Sequence, residues 1–273
     1  MVFPLMWFLL LGLALAGFAV GSFLTVVVTR IGTGRTILWG RSRCIHCGKK
    51  LSWFELLPVL SFIAQGGQCR SCGGAIPPFY PIVELTTAAL FVLLGVAFST
   101  GWLAPPPFQG SSALTLIYDA FFLATAVAIS GYDLRHRLIP TALILPLAAL
   151  GLAAHVAGAF QAHDIGSLTS LVVVSVAAFG LFWGLWFFSR GQAMGRGDAD
   201  VVLAIALALG PRLALLGVLF AFWIGAILGI LLVAVGRLSW KSALPFAPFL
   251  FLGASLALLA GSPLMGYLSR YGL

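Results

Sequence analysis

The feature that most limits what this chain can fold into is a succession of apolar runs, each about long enough to cross a lipid bilayer. A helix needs about 20 mainly apolar residues to span the hydrocarbon. The chain has seven runs of about this length and an eighth, shorter run at 199–209, which ends at Gly210-Pro211. At about 1.5 Å per residue, the short run covers only about 17 Å. We therefore predict an all-α polytopic membrane protein. The seven longer runs occupy residues 4–28, 79–98, 113–131, 141–159, 168–188, 212–235 and 244–260.

Composition and charge agree with a membrane protein. Only 8% of the residues are charged, whereas a soluble globular domain has about 25% charged residues. The formal net charge of +8 resembles that of a nucleic-acid-binding protein. However, the basic residues cluster in short segments between the apolar runs, as they do when they set membrane topology. We therefore expect membrane lipid, and no nucleic acid, as a partner.

The positions of the basic residues predict how the helices are oriented. No basic residue precedes Arg30, so we expect the first run to be a retained transmembrane helix with its N-terminus outside, not a cleaved signal. If the short run also crosses, the chain has eight spanning helices, and this topology places 13 of the 15 basic residues on the cytoplasmic side, as the positive-inside rule requires. If the short run re-enters instead, the count on the cytoplasmic side is again 13. The charge distribution therefore does not decide whether the short run crosses the membrane.

A single polar stretch, residues 30–78, interrupts the apolar runs and holds all four cysteines. Two residues separate Cys44 from Cys47 and Cys69 from Cys72, and a glycine follows each pair. Two such pairs supply the four ligands of a closed, structural zinc site. Two disulfides are the alternative, which the reducing cytoplasmic side disfavours. Zinc would hold together an insert that is too small to build its own core.

The chain has only seven acidic residues, and two of them suggest catalysis. Asp133 and Asp198 both fall at the cytoplasmic edge of an apolar segment, although 65 residues separate them. A carboxylate near the bilayer costs energy and is a functional candidate by default. Brought together, two carboxylates suit an aspartyl protease, in which one is ionised and activates water while the other is protonated and polarises the scissile carbonyl. Gly195 and Gly197 would let an extended peptide lie against the backbone.

Each of these aspartates also has an ordinary structural interpretation. Asp133 would pair at the membrane interface with Arg135 or Arg137, and Asp198 would cap the helix that follows it.

A different function class fits intramembrane acids as well, namely a transporter or a zinc-stabilised scaffold whose aspartates relay protons or ions. Transport favours internal repeats and polar residues near mid-membrane. The sequence shows no repeat, and both aspartates lie at an edge.

The order of apolar runs and polar segments also predicts the surroundings of three further acidic residues. Glu55 lies in the polar insert, where we expect it to be solvated. Asp119 lies near the external end of the third helix, within expected reach of headgroup water. Glu84 lies about one turn inside the second helix, an unusual place for a carboxylate.

Taken together, these residues resemble the paired signature of the GxGD intramembrane aspartyl proteases, carried here by Tyr132-Asp133 and by residues 195–198. Further motifs are similar to those of one branch of that class, the bacterial type IV prepilin peptidases. The resemblance covers nearly the whole chain. The matching segments are GSFLTVVVTR at 21–30, the cysteine region at 40–72, YPIVEL at 80–85, LIP at 138–140 and PFAPFL at 245–250.

The resemblance implies a function and a domain organisation. It implies cleavage after glycine in the leader of a type IV prepilin or type II secretion pseudopilin, at the cytoplasmic face of the bacterial inner membrane, with Asp133 and Asp198 as the catalytic pair. It also implies eight crossings and methylation of the new N-terminus with S-adenosylmethionine, although a methyltransferase without protease activity remains an alternative. The implied domains are a first transmembrane helix at 1–29, a cytoplasmic zinc insert associated with methylation at 30–78, and a membrane protease domain at 79–273.

The sequence departs from the family pattern at several positions. Asp200 stands where the family usually has lysine. It either alters the titration of the catalytic pair or faces away, since positions 198 and 200 point about 200° apart on a helix. Thr25, Gly32 and Thr141 replace a common asparagine, a proline and an acidic residue.

Overall fold

Helices account for nearly all of the regular structure in the computed structural model, which describes residues 2–108, 110–192, 194–237, 239 and 244–270. Within this part of the chain there is no strand, and only two isolated antiparallel bridges join residues of the cysteine insert. A short 3₁₀ turn spans Trp53–Leu56. The α-helices are α1 Val2–Arg30, α2 Leu60–Ala64, α3 Phe79–Thr100, α4 Ser112–His136, α5 Thr141–Ala162, α6 Ile165–Phe188, α7 Arg196–Leu209, α8 Pro211–Ala234, α9 Ala247–Leu259 and α10 Gly261–Arg270.

The predicted all-α membrane architecture is confirmed. Six of the described helices (α1, α3, α4, α5, α6 and α8) are long and apolar enough to cross a bilayer, and α9 with α10, bent by 75°, would add a seventh. The helix α7 is outside this count because its 14 residues extend over only about 21 Å.

The structure divides into two compact units, Met1–Val96 and Ala97–Leu273. In the first unit, α1 and α3 approach each other through glycine. A Cβ atom added to Gly17 would lie 2.6 Å from Ala88 Cα, and one added to Gly21 would lie 2.8 Å from Glu84 Cα. The backbones can therefore come closer than side chains would otherwise allow. The cysteine insert connects these two helices.

In the second unit, α7 is surrounded by other helices. It packs against α5, α6, α8 and α9, and Ala199, Val201, Ala204 and Ala206 are fully buried. Small residues allow this close packing, since a Cβ added to Gly151 of α5 would lie 2.5 Å from Ala208 Cα. The helix that carries Asp198 is therefore held inside protein along its length.

The helices α8 and α9 form another close pair in this unit. A Cβ added to Gly217 of α8 would lie 2.8 Å from Ala254 Cα, and one added to Gly253 of α9 would lie 2.6 Å from the Ala221 nitrogen. Glycine on both helices thus permits backbone-to-backbone contact, as is common between membrane helices.

The hydropathy pattern underestimates the length of α4. The apolar run predicted a helix over 113–131, whereas α4 continues to His136, and the backbone N–H of Arg137 donates to Asp133 O at 2.7 Å. Polar residues can extend a helix beyond its apolar part, since helix formation depends on backbone hydrogen bonds and propensity as well as burial. Asp133 is therefore an internal residue of the last turns of α4.

Candidate active site

Asp133 lies near the C-terminal end of α4 and is buried, with 6% of its surface exposed. The backbone N–H of Ala247, the first residue of α9, interacts with its carboxylate. The N-terminus of a helix carries free N–H groups and a partial positive charge, so it favours a carboxylate. Arg135 and Arg137, in contrast to Asp133, are exposed.

Asp198 is the third residue of α7 and is also 6% exposed. Its Oδ2 accepts a hydrogen bond of 3.1 Å from the backbone N–H of Gly195, the residue at the cap position. The alternative that Asp198 is itself the N-cap is therefore wrong. Its side chain reaches back from the first turn and still satisfies one of the free N–H groups there.

The fold places these two buried carboxylates within electrostatic range of each other, since the charge of Asp133 acts on Asp198. Each lies at a helix N-terminus, Asp133 at that of α9 and Asp198 at that of α7. Two close carboxylates cannot both be ionised at low energetic cost, so such a pair tends to share one proton. This arrangement can take a proton from water and give one to a carbonyl oxygen.

The glycines before Asp198 differ in their surroundings. A Cβ added to Gly197 would lie 2.9 Å from Ile139 Cδ1, so this glycine makes room for the Leu138-Ile139-Pro140 segment. Gly195 is exposed, and its added Cβ would meet the carboxylate of Asp198, with Oδ2 at 3.3 Å. Asp200 is partly exposed, in contrast to Asp198, as expected for residues on different sides of α7.

The opposite end of α7 is held by two side chains from other helices. The Tyr118 hydroxyl of α4 donates a 2.6 Å hydrogen bond to Ala208 O, and both residues are buried. His155 of α5 interacts with Leu207 O and lies against Gly210, whose added Cβ would be 2.8 Å from His155 Nε2. These contacts satisfy carbonyls that the end of a helix leaves without partners. Sequence reasoning missed them because neither side chain belongs to a local motif.

The cysteine insert brings its four thiols together. The Sγ atoms of Cys44, Cys47, Cys69 and Cys72 all lie within 4.8 Å of one another, and those of Cys44 and Cys72 are 3.8 Å apart. Four thiolates around zinc at about 2.3 Å would lie about 3.8 Å apart. The predicted grouping is therefore confirmed, and the geometry fits a tetrahedral zinc ion.

Each cysteine pair lies in a tight turn closed by a bridge, Arg43 with Lys50 and Gln68 with Ala75. The turns need glycine, because Gly48 and Gly73 have positive φ values of 71° and 69°, which other residues adopt only with strain.

Polar contacts join the two cysteine turns. Lys49 Nζ donates to Ser71 Oγ at 2.7 Å, and His46 Nε2 lies 3.1 Å from Ala75 O. The backbone N–H groups of Cys47 and His46 lower the pKa of the Cys44 thiol to about 6. A thiol with a lowered pKa supplies the thiolate that a metal needs.

Two acids outside the proposed pair are placed differently from expectation. Asp119 is 1% exposed rather than in contact with headgroup water, and its Oδ2 has no hydrogen-bond partner among the described residues. Glu55 is buried rather than solvated, and it accepts a 2.8 Å hydrogen bond from Ser52 N. The Ser52 N–H lowers the pKa of Glu55, and so does nearby Lys49.

Glu84 has the most unusual role of the remaining acids. Its Oε2 accepts a 2.7 Å hydrogen bond from the backbone N–H of Val59 in the insert, and it also interacts with Ser22 of α1. The intramembrane position of Glu84 was the only sequence signal for this contact.

Comparisons with known proteins cover both units. The family described as "Bacterial Peptidase A24 N-terminal domain" matches residues 15–98, and the "Type IV leader peptidase family" matches residues 120–230. No solved structure matches the chain.

Several curated proteins named "Prepilin leader peptidase/N-methyltransferase" are similar to this chain over most of their length. The protein from Pseudomonas aeruginosa is 30% identical, with 90% of this chain and 89% of that protein aligned. The Bacillus subtilis protein is also 30% identical, over 94% and 96%. The protein from Burkholderia pseudomallei strain 1026b is 33% identical, over 90% and 84%.

Proposed function

The chain belongs to the type IV leader peptidase family, and from this premise we propose that Asp133 and Asp198 are the catalytic pair with which it cleaves prepilin leaders. The observation that carries the proposal is that two carboxylates from distant parts of the sequence are both buried and lie within electrostatic range of each other. A helix bundle does not need such a pair for its stability, whereas aspartyl-protease catalysis requires one.

The chemistry follows from the shared proton. The ionised carboxylate takes a proton from a water molecule, and the water oxygen attacks the scissile carbonyl carbon. The protonated carboxyl gives its proton to the carbonyl oxygen, so the tetrahedral intermediate is a neutral diol. Its collapse breaks the C–N bond, a proton passes to the leaving amine, and the pair returns to its starting state. Because the two groups titrate together, the resting proton belongs to the pair.

The N–H contacts would fix the two carboxylates in place. Ala247 interacts with Asp133, and Gly195 donates to Asp198. Each contact holds one carboxylate while leaving oxygen atoms free to face the water and the substrate. Gly195, which is exposed beside Asp198, is where the extended backbone of the substrate would lie, and Gly197 would shape the groove by accepting Ile139.

The substrate follows from the family and from the location of the pair. The family cleaves prepilins, and we propose that cleavage takes place after glycine, on the cytoplasmic side of a bacterial inner membrane. The basic residues of segment 30–78 support this orientation, because seven of them accompany a single acid and positive segments remain cytoplasmic. The apolar stem of the prepilin would stay in the lipid beside the helices.

Zinc would be held by Cys44, Cys47, Cys69 and Cys72, whose sulfur positions fit it. Four thiolates leave no open position for water, so the ion would stabilise the insert and take no part in peptide cleavage.

N-methylation is the second activity of this family's named relatives, and we assign it to this chain with S-adenosylmethionine as the methyl donor. A nucleotide site of the Rossmann kind needs a strand followed by a glycine-rich turn and a helix. The described part of the insert contains no strand, so a site of that kind does not fit there, and we assign no residues to the methyl donor.

The test is cleavage of a prepilin with a Gly-Phe site by the purified protein in detergent. We expect Asp133→Asn and Asp198→Asn each to lower kcat by about 100-fold or more, because each removes one half of the acid–base pair. Asp200→Asn is the matched control, since it makes the same change two residues away on another face of α7, and it should retain activity.

Folding and zinc content must be equal in all three variants for the comparison to hold. Full activity in Asp133→Asn or Asp198→Asn would remove that residue from the mechanism. Loss of cleavage in Asp200→Asn alone would move the catalytic role to Asp200.

A further inference from the structure

Residues 53–64 of the insert, WFELLPVLSFIA, form an almost entirely apolar segment with Glu55 as its only charged residue. An apolar stretch of about 10–14 residues in a membrane protein is either buried core or an interfacial segment. In this protein it is not core, because Trp53 is 76% exposed, Leu60 65% and Ile63 68%. Large exposed apolar groups clustered in one short segment indicate an interaction surface.

The charge of Glu55 is neutralised inside the insert. Its Oε2 accepts a hydrogen bond from Ser52 N at 2.8 Å, and its Oε1 lies 3.6 Å from Lys49 Nζ. The side chain is buried. The segment therefore presents apolar side chains and no free acidic group on its outer face.

The contact between Val59 and Glu84 fixes the position of this segment along α3. The N–H of Val59 donates to Glu84 Oε2 at 2.7 Å. Glu84 is five residues into α3, about 7.5 Å along the axis of a membrane-spanning helix. Leu60, the next residue along the chain, begins α2. The segment is thus held beside the first turns of α3 and does not extend away from them.

The backbone at Val59 indicates that this position is held against a local preference. Val59 has a φ of +59°, an unfavourable conformation for a β-branched residue. The N–H of Val59 is nevertheless bound by the buried Glu84 carboxylate, which also interacts with Ser22 of α1. Leu60 and Ile63 are three residues apart on α2, and both are exposed.

The charge around the segment indicates which kind of partner it binds. Residues 30–78 contain seven basic residues and one acidic residue, and Arg43, Lys50 and Arg70 are exposed. Arg70 lies 5.3 Å from the centre of the Phe54 ring, so positive charge borders the apolar face. Anionic lipid headgroups attract basic residues beside a membrane, and tryptophan favours the interface between lipid and water.

We propose that segment 53–64 lies in the adjoining membrane leaflet, with Trp53, Leu60 and Ile63 among the acyl chains and the basic residues of the insert on anionic headgroups. The segment would act as an interfacial anchor between two spanning helices. This inference rests on contacts within the first unit and is independent of the catalytic role of the aspartates. The apolar stem of the substrate is the competing occupant.

The test uses the full chain in nanodiscs made of phosphatidylcholine and phosphatidylglycerol with bromine on the acyl chains, which quenches nearby tryptophan. The fluorescence of Trp53 is obtained as the difference between the wild type and Trp53→Phe. The matched reporter is Ile45→Trp in the Trp53→Phe background, because Ile45 is 64% exposed in the same insert but lies in a cysteine turn. Zinc content and prepilin cleavage establish that all variants are folded.

We expect brominated lipid to quench more than half of the Trp53 signal and little of the signal from position 45. The quenching of Trp53 should weaken when phosphatidylcholine is the only lipid. Equal and weak quenching at both positions would overturn the proposal. It would also be overturned if lipid leaves Trp53 unquenched while added prepilin shields it from a water-soluble quencher, because the surface would then bind substrate.

Discussion

The insert and the aspartate-bearing bundle hold their polar groups in place by different means. The cysteine turns of the insert are joined by side-chain contacts such as Lys49 with Ser71, and its helical elements have only four and five residues. The bundle instead brings long helices into backbone contact through small residues such as Gly151 and Gly217. The insert thus depends on specific polar contacts and on the proposed zinc ion, and the bundle on packing.

This difference suggests that the two regions can fail separately. A small region without a sizeable core usually needs a metal or disulfides for stability. A bundle of long helices gains stability from many small contacts along its length. The family resemblance associates the insert with methylation, so changes to the insert should affect methylation first, and changes to helix packing should affect cleavage.

Zinc removal should have the largest effect. Structural zinc contributes on the order of 10 kcal/mol to the folding of small domains, so Cys47→Ser should unfold the insert and abolish methylation. Cleavage in detergent should remain within a few-fold of wild type, because the proposed catalytic aspartates belong to the other unit.

The measurement is zinc content by mass spectrometry together with separate assays of cleavage and methylation. Ser71→Ala is the control, since it lies between two ligands but removes only the 2.7 Å hydrogen bond from Lys49. If cleavage declines in parallel with zinc content, the two regions are not separable.

Disruption of the contact between α8 and α9 should have the next largest effect. In Gly217→Val the new side chain would clash with Ala254, since a Cβ alone would lie 2.8 Å from its Cα, and overpacking of this kind costs about 3 kcal/mol. Gly229→Val is the matched control in α8, because a Cβ there meets nothing within 4 Å. Thermal unfolding should separate the variants, and cleavage should fall only in the first. Equal thermal stability of the two variants would show that this contact is unimportant.

Loss of the hydrogen bond between Tyr118 and Ala208 should have the smallest effect. Tyr118→Phe leaves a buried carbonyl without its partner, which costs about 1–3 kcal/mol. Because this bond holds α7 at the end opposite Asp198, we expect kcat to fall a few-fold with KM unchanged.

The control for this variant is Thr125→Val. It removes a 2.8 Å hydrogen bond to Phe121 O that lies within α4 alone. Equal kinetics in the two variants would mean that Tyr118 stabilises the bundle without positioning α7.

The parts of the site that the sequence predicted are those that local patterns encode. The spacing of Cys44 and Cys47 is local, so the cluster could be predicted without knowing the fold. Asp133 and Asp198 were each selected by a local signal, a carboxylate at the edge of an apolar segment, and their catalytic pairing stays a prediction from chemistry and family resemblance. The burial of Asp119 could not be predicted, because it depends on which helices surround it. The contacts of Ala247 with Asp133 and of Glu84 with Val59 each join residues distant in sequence, and no local pattern encodes such partners.

The enclosure of α7 has a consequence for the membranes in which the protein can work. When bilayer thickness differs from the length of a spanning helix, that helix tilts or the lipid deforms around it. The lipid acts on outer helices, whereas α7 packs against four other helices and its core residues are fully buried. A thicker or thinner bilayer should therefore tilt the outer helices while Asp198 keeps its position at the start of α7. Activity should then depend on acyl-chain length mainly through α4, the spanning helix that carries Asp133.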